Sequence, residues 1–287
     1  MAAVVTPFTI DDEIDIEALA KLVSYLVERG IHGIMTTGGN GEFPHLLPDE
    51  RKEVLEVVVD SVKGRIPVIA CTTSCSIKET LLYTKHAEDA GAEAAILVPP
   101  YYYKLPPDGL FKYYKTVAEG TELPLIVYNN PGYTKNPIPP KLMFKILSIR
   151  GVIGLKQSEY DISQTIEILR QMGEKVSIMT GIDSQLFPIL CVGGRGIFST
   201  AACVVPREMI ELYNAFQEGD LKRALNIHMK LQVLNRFLEY DPGYVAPCKE
   251  ALNMLGLPAG QVRPPLPMLT KQEKEQLRES LAELGLL

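Results

Sequence analysis

Gly151-Val152-Ile153-Gly154-Leu155-Lys156-Gln157-Ser158 reads as a short buried strand that ends on a lysine. Val152, Ile153 and Leu155 are apolar, too few for a helix, and bounded by Gly151 before and the polar Gln157-Ser158 after. A lysine at the end of such a run is unusual, because an unpaired ammonium is costly to bury. Desolvation favours the neutral amine, and a neutral amine is a nucleophile able to attack a carbonyl. A strand-end lysine can equally run its stem along apolar surface and leave its charge in water. This stretch alone leaves both readings open.

Outward from it, the same strand-then-helix unit recurs in both directions. Upstream, strands are predicted over 2–5, 32–37, 67–71, 94–98 and 125–128; downstream, over 176–180 and 196–199. Helical spacing follows at 15–29, from Pro48-Asp49, from Ser76 to Gly91, from about 108, at 161–172 and at 184–192. Ser76 and Glu79 have capping-box spacing. Beyond Pro206 the pattern is purely helical, at 221–238, 246–255 and 271–284 after the eighth unit's own helix. Apolar strands alternating with helices predict an α/β fold, a single (β/α)8 TIM barrel with additional C-terminal helices. Residues 1–205 are the expected barrel core, and 206–287 the eighth barrel helix with a helical appendage. An open dinucleotide-binding sheet would call for G-x-G-x-x-G, a spacing that Gly38-Gly39-Asn40-Gly41 lacks.

Composition narrows the function. Of 287 residues, 46% are hydrophobic and 22% charged, with a net charge of -6. That balance argues against nucleic acid as the main partner, since phosphate binding needs clustered cations. No apolar run approaches a bilayer span, and no charged segment followed by an apolar one opens the chain, so a cytoplasmic protein is expected. The five cysteines, Cys71, Cys75, Cys191, Cys203 and Cys248, are scattered, and no histidine stands at zinc-site spacing. Reduced, buried thiols and no metal are the expectation.

A barrel of this kind carries its chemistry at the carboxyl ends of its strands. This chain places there Gly38-Gly39-Asn40-Gly41-Glu42, Tyr101-Tyr102-Tyr103, Tyr128-Asn129-Asn130-Pro131, Lys156, Gly181-Ile182-Asp183 and Phe198-Ser199. The amine of Lys156 would form an imine with a ketone, and a tyrosine hydroxyl could shuttle protons to and from the carbinolamine. Amides in a glycine turn suit a carboxylate. Together they describe a site for a 2-oxo acid.

The whole chain resembles the pyruvate-dependent class I aldolases, the family of dihydrodipicolinate synthase and N-acetylneuraminate lyase. The resemblance rests on Val5-Thr6-Pro7-Phe8, the Gly38–Glu42 motif, Pro100-Tyr101-Tyr102, Tyr128-Asn129-Asn130-Pro131, Gly154-Leu155-Lys156 and Gly196-Ile197-Phe198-Ser199. It implies a Schiff-base lysine at Lys156, a catalytic tyrosine at Tyr128, and carboxylate-binding amides at Gly39 and Asn40. It implies a further catalytic tyrosine at Tyr102, reaching a neighbouring subunit's site within a homotetramer built as a dimer of dimers. Tyr133, Gly181 and Phe198 complete the expected substrate-binding set, with no cofactor beyond the covalent imine.

Two positions depart from the synthases. They usually carry Thr or Ser where this chain has Gly39, a hydroxyl that links two tyrosines in a proton relay, so water or Asn40 would have to replace it. They also place an arginine where Tyr133 stands, and a tyrosine cannot make that bidentate ion pair. The expected function is therefore a Schiff-base lyase whose second substrate is a sugar-acid-type or hydroxy-2-oxo acid. The alternative is a 4-hydroxy-tetrahydrodipicolinate (dihydrodipicolinate) synthase. An alternative of another class is a non-catalytic protein that binds or senses a 2-oxo acid.

Overall fold

The computed structural model describes residues 1–239 and 243–287. Its parallel strands follow chain order across one sheet: β1 (Ala2–Ala3), β2 (Ile34–Thr36), β3 (Val68–Cys71), β4 (Ala94–Leu97), β5 (Leu125–Asn129), β6 (Val152–Gln157) and β7 (Ser177–Thr180). A helix separates each strand from the next, and further helices follow the last strand. This is the expected α/β architecture of the barrel type. The predicted eighth strand is the exception, because it forms two isolated parallel bridges, Thr180 with Ile197 and Ala2 with Ser199, rather than a ladder. Its residues still bond on both sides: Phe198 N–H donates to Thr180 O, and Ser199 N–H to Met1 O. The segment is too short for more.

The described residues divide into two compact units, Met1–Val68 with Ser199–Leu287, and Ile69–Phe198. In the first, β1 pairs with β2 through Ala2↔Ile34 and Ala3↔Met35. The helix Ile16–Glu28 starts at Asp15, whose side chain accepts from Ala18 N–H, and buries Leu19, Leu22 and Val23. Leu22 and Val23 lie three and four positions after Leu19, about one helical turn on, which is what gives the helix its apolar stripe. The helices Pro206–Gln217, Leu221–Leu238, Val245–Met254 and Lys271–Glu283 belong to this unit. Among them Leu212, Leu231, Leu234, Leu277 and Leu281 are buried.

In the second unit β4, β5, β6 and β7 are almost wholly apolar until their last residues, as strands covered on both faces must be. The β5–β6 ladder contains an irregularity that matters later. Leu125 pairs with Val152 but Ile126 pairs with Gly154, so Ile153 is an extra residue in a bulge. Ile153 was expected to be buried, yet it is 47% exposed, as an unpaired bulge residue is free to be. Gly154 is needed where it stands, because a Cβ there would lie 2.9 Å from Ser177 O on β7.

Three more expectations change. Ser76 makes no side-chain cap, because Glu79 instead bonds the Ser74 hydroxyl and accepts from Tyr83 Oη at 3.1 Å. Cys75 and Cys191 are exposed, while Cys71, Cys203 and Cys248 are buried. A helix over Pro140–Leu147, not recognised in the sequence, begins at Pro139-Pro140, whose fixed φ angles suit a first helical turn.

Candidate active site

Lys156 lies near the carboxyl end of β6 and is 4% exposed. The bulge at Ile153 sets its partner: beyond it Tyr128 pairs with Lys156 and Asn129 with Gln157. Parallel partners project to the same face, so lysine and tyrosine emerge together. Lys156 Nζ sits 3.9 Å from the centroid of the Tyr128 ring and 5.8 Å from that of Phe198. Such ring faces favour a cation and exclude water from it. The Tyr128 ring is buried, and its hydroxyl accepts from Asn130 Nδ2 at 3.0 Å.

One residue further along, Asn129 Nδ2 donates to Gln157 Oε1 at 3.0 Å, and Asn129 Oδ1 accepts from Ile138 N–H. This buried side-chain pair holds the two strands in the register that sets Lys156 beside Tyr128. Gly181, at the end of β7, leaves the lysine room. A Cβ there would meet Lys156 Cε at 2.5 Å and collide with Ser158 Oγ. Lys156, Tyr128, Phe198 and Gly181 thus come together.

Tyr102 and Tyr133 lie on the surface, 85% and 58% exposed. Tyr102 has a left-handed backbone (φ 78°) and stands edge-on to Tyr103, with ring centroids 5.0 Å apart. Its loop is held from beneath by buried Asn136, which donates to Pro100 O and Tyr103 O and accepts from Leu105 N–H, all at 2.8 Å. Asn136 gave no signal in the sequence, since its partners are backbone atoms more than thirty residues away.

Gly39 and Asn40 belong to the first unit, in the turn after β2. The left-handed residues here are Thr37 (φ 50°) and Glu42 (φ 56°), and the glycines serve close approach instead. Asn40 is 2% exposed, and its side chain donates to Ala3 O at 2.7 Å and accepts from Thr200 Oγ1 at 3.2 Å. Those bonds commit the amide to holding the turn, against the expectation that it could stand in for a relay hydroxyl.

Glu42, completely buried at the end of the turn, faces charges the sequence reading missed. Lys249 Nζ lies 2.5 Å from Glu42 Oε1 and donates to Gln261 O at 2.7 Å. Arg263 N–H donates to Glu42 Oε2 at 2.9 Å. Both cations lie over the Phe8 ring, with Lys249 Nζ 4.4 Å and Arg263 Cζ 4.3 Å from its centroid. The Arg263 guanidinium also forks onto Glu50 at 2.6 and 2.8 Å and bonds Asp12. Burial lowers the Lys249 ammonium below its usual range, and Glu42 opposes that shift. The bond from Arg263 holds the Glu50 carboxyl below its ordinary value.

A parallel α/β fold with a buried strand-end lysine against a tyrosine ring defines a lyase of the class I aldolase type. The chain belongs to the dihydrodipicolinate synthetase family, whose model matches residues 1–284. A 4-hydroxy-tetrahydrodipicolinate synthase of Thermodesulfovibrio yellowstonii is 39% identical over 100% of this chain and 98% of its own. Another, from Methanocaldococcus jannaschii, is 37% identical over 99% of this chain and 98% of its own. The crystal structure of dihydrodipicolinate synthase from Aquifex aeolicus superposes with a TM-score of 0.94 at 36% identity, covering 99% and 97% of the two chains. A prophage protein of the same family from E. coli K12, in complex with pyruvate, gives 0.95 at 30% identity, covering 100% and 98%. These relatives favour the synthase alternative over the sugar-acid-type or hydroxy-2-oxo acid substrate expected from Gly39 and Tyr133. Among the described residues no helix is long and apolar enough to cross a membrane.

Proposed function

We propose that the protein joins pyruvate to an aldehyde through an imine at Lys156, as a 4-hydroxy-tetrahydrodipicolinate synthase. The observation that carries the imine is Lys156 Nζ, buried and 3.9 Å from the Tyr128 ring centroid. The amine adds to the ketone carbon of pyruvate and water leaves, and the imine stabilises the carbanion that attacks the aldehyde. Tyr128 moves the protons, with its hydroxyl oriented by Asn130. The Gly39 and Asn40 amides bind the pyruvate carboxylate. Gly181 and Phe198 shape the space around the lysine, and Tyr133 meets the second substrate. The exposed Tyr102 reaches a neighbouring subunit's site in a homotetramer, and no cofactor beyond the imine is required.

A second reading, cleavage or dehydration of a sugar-acid-type or hydroxy-2-oxo acid through the same imine, is favoured by Tyr133 and Gly39. The first test is borohydride reduction with pyruvate, read by intact mass and peptide mapping. Stable addition at Lys156, absent in Lys156→Ala, supports the imine; no addition refutes it and leaves only a binding role. The second is a coupled assay with pyruvate and aspartate semialdehyde beside a panel of 2-keto-3-deoxy sugar acids and 4-hydroxy-2-oxo acids. Turnover confined to the panel would replace the synthase reading with the second one.

A further inference from the structure

As Tyr244 stands, position 39 has no room for a side chain. Its backbone is not left-handed, so no conformational demand requires glycine there. A Cβ built on it would collide with the Tyr244 hydroxyl oxygen and lie 3.3 Å from the ring carbon that bears it. The tyrosine hydroxyl fills the volume that a side chain at position 39 would take. Gly39 is also the half-buried residue in an otherwise buried run from Thr37 to Glu42, and Tyr244 is half-buried as well.

The approach is held from both ends. Tyr244 immediately precedes the helix Val245–Met254, which carries Lys249. Lys249 is paired with Glu42, the residue that closes the turn. One buried ion pair therefore ties the tyrosine's helix to the glycine's turn. A phenol hydroxyl both donates and accepts, and as a donor beside backbone N–H groups it adds to the affinity for an anion.

We propose that Tyr244 is a substrate-binding residue, whose hydroxyl joins the Gly39 and Asn40 amides in binding the carboxylate of the 2-oxo acid and takes the place of a side chain at position 39. The proposal rests on the reading that this turn holds that carboxylate. It assigns to a distant tyrosine a hydroxyl that residue 39 does not carry, and it makes positions 39 and 244 interdependent: a hydroxyl-bearing residue fits at 39 only when the phenol is absent.

The test is a double-mutant cycle with pyruvate as the probe, read as the concentration that gives half-maximal borohydride labelling. Tyr244→Phe keeps the ring and should raise that concentration about tenfold or more, the effect of losing a hydrogen bond to a charged group. Its maximal labelling and thermal midpoint should stay those of the wild type. Gly39→Ser should be as damaging in the wild-type background and nearly harmless, or restorative, beside Tyr244→Ala. Unchanged half-saturation in Tyr244→Phe, or independent effects of the two positions, would overturn the proposal. If the wild type takes no label, the imine reading falls on its own, and pyruvate protection against thermal unfolding then decides for Tyr244. Weaker protection of Tyr244→Phe than of the wild type supports the carboxylate contact; equal protection, or none in either, overturns it.

Discussion

Lys156 and Tyr128 occupy partnered positions on adjacent parallel strands, with the lysine Nζ 3.9 Å from the tyrosine ring centroid. The contact includes the ring face. The ring shields the amine, while the hydroxyl is held separately by Asn130 at 3.0 Å. Tyr128→Phe should therefore preserve the packing against Lys156 and remove only proton transfer. The expected fall in kcat is on the order of 10²–10⁴-fold, with the thermal midpoint unchanged. Steady-state kinetics beside thermal unfolding checks this, and near-normal turnover would assign the proton to another group.

The bulge at Ile153 sets the phase of the strand end. Deleting Leu155, in the regular ladder beyond the bulge, would bring Lys156 opposite Val127, and a one-residue slip sends a side chain to the opposite face. Pyruvate-dependent labelling should then be lost. Ile153→Thr, at a 47% exposed position, should keep labelling and shift stability by no more than about 0.5 kcal/mol. Labelling that survives the Leu155 deletion would mean that the register beyond the bulge does not place Lys156.

Lys249→Met should be among the most damaging substitutions in the first unit, because it leaves the Glu42 carboxyl buried without its cation. The expected cost is about 3–5 kcal/mol. Pairing it with Glu42→Gln should recover a good part of that loss, since the orphaned charge is removed as well. Chemical denaturation of both single variants and the double variant measures the coupling, and strict additivity would count against a functional pair.

Glu50 links stability to acid. Arg263 holds its folded-state pKa below the ordinary 4.5, so the unfolded chain takes up the proton first as pH falls. The stabilisation is fully present above about that ordinary value and is lost as pH drops through the lower folded-state value. Glu50→Gln should flatten that part of the stability–pH curve and leave the neutral region with the same slope. Denaturation midpoints measured across the acid range would expose an unchanged acid limb, which would rule this linkage out.

Tyr133 decides between the two substrate readings. If the wild type turns over aspartate semialdehyde poorly, Tyr133→Arg should raise kcat/KM for it by roughly 10²-fold, the effect of one bidentate charged contact. Half-saturation of imine labelling by pyruvate should not move. An arginine that leaves semialdehyde turnover unchanged would place recognition of that carboxylate elsewhere.

Local patterning determined much of this protein by itself. Short apolar runs alternating with helical stripes specified parallel strands and helices, and a lysine closing one such run marked β6 as the strand with chemistry. The helix starts at Asp15 and Asp161 were legible in the spacing, and there each acidic side chain caps its own helix within a few residues. The box at Ser76 failed because Ser74, two residues earlier, took the glutamate. What remained hidden depends on partners distant in the chain. The bulge that aligns Lys156 with Tyr128 arises from the pairing of two strands and leaves no mark on either alone. Asn136 beneath the tyrosine loop, Lys249 against Glu42 and Tyr244 against Gly39 are likewise invisible as single residues. A lysine in a helical run reads as a solvated charge until folding buries it on a carboxylate. A glycine reads as a flexible turn until the tertiary structure shows the hydroxyl that fills its place. Periodicity encodes which face of an element is apolar; only packing decides which side chains those faces bring within a few ångströms.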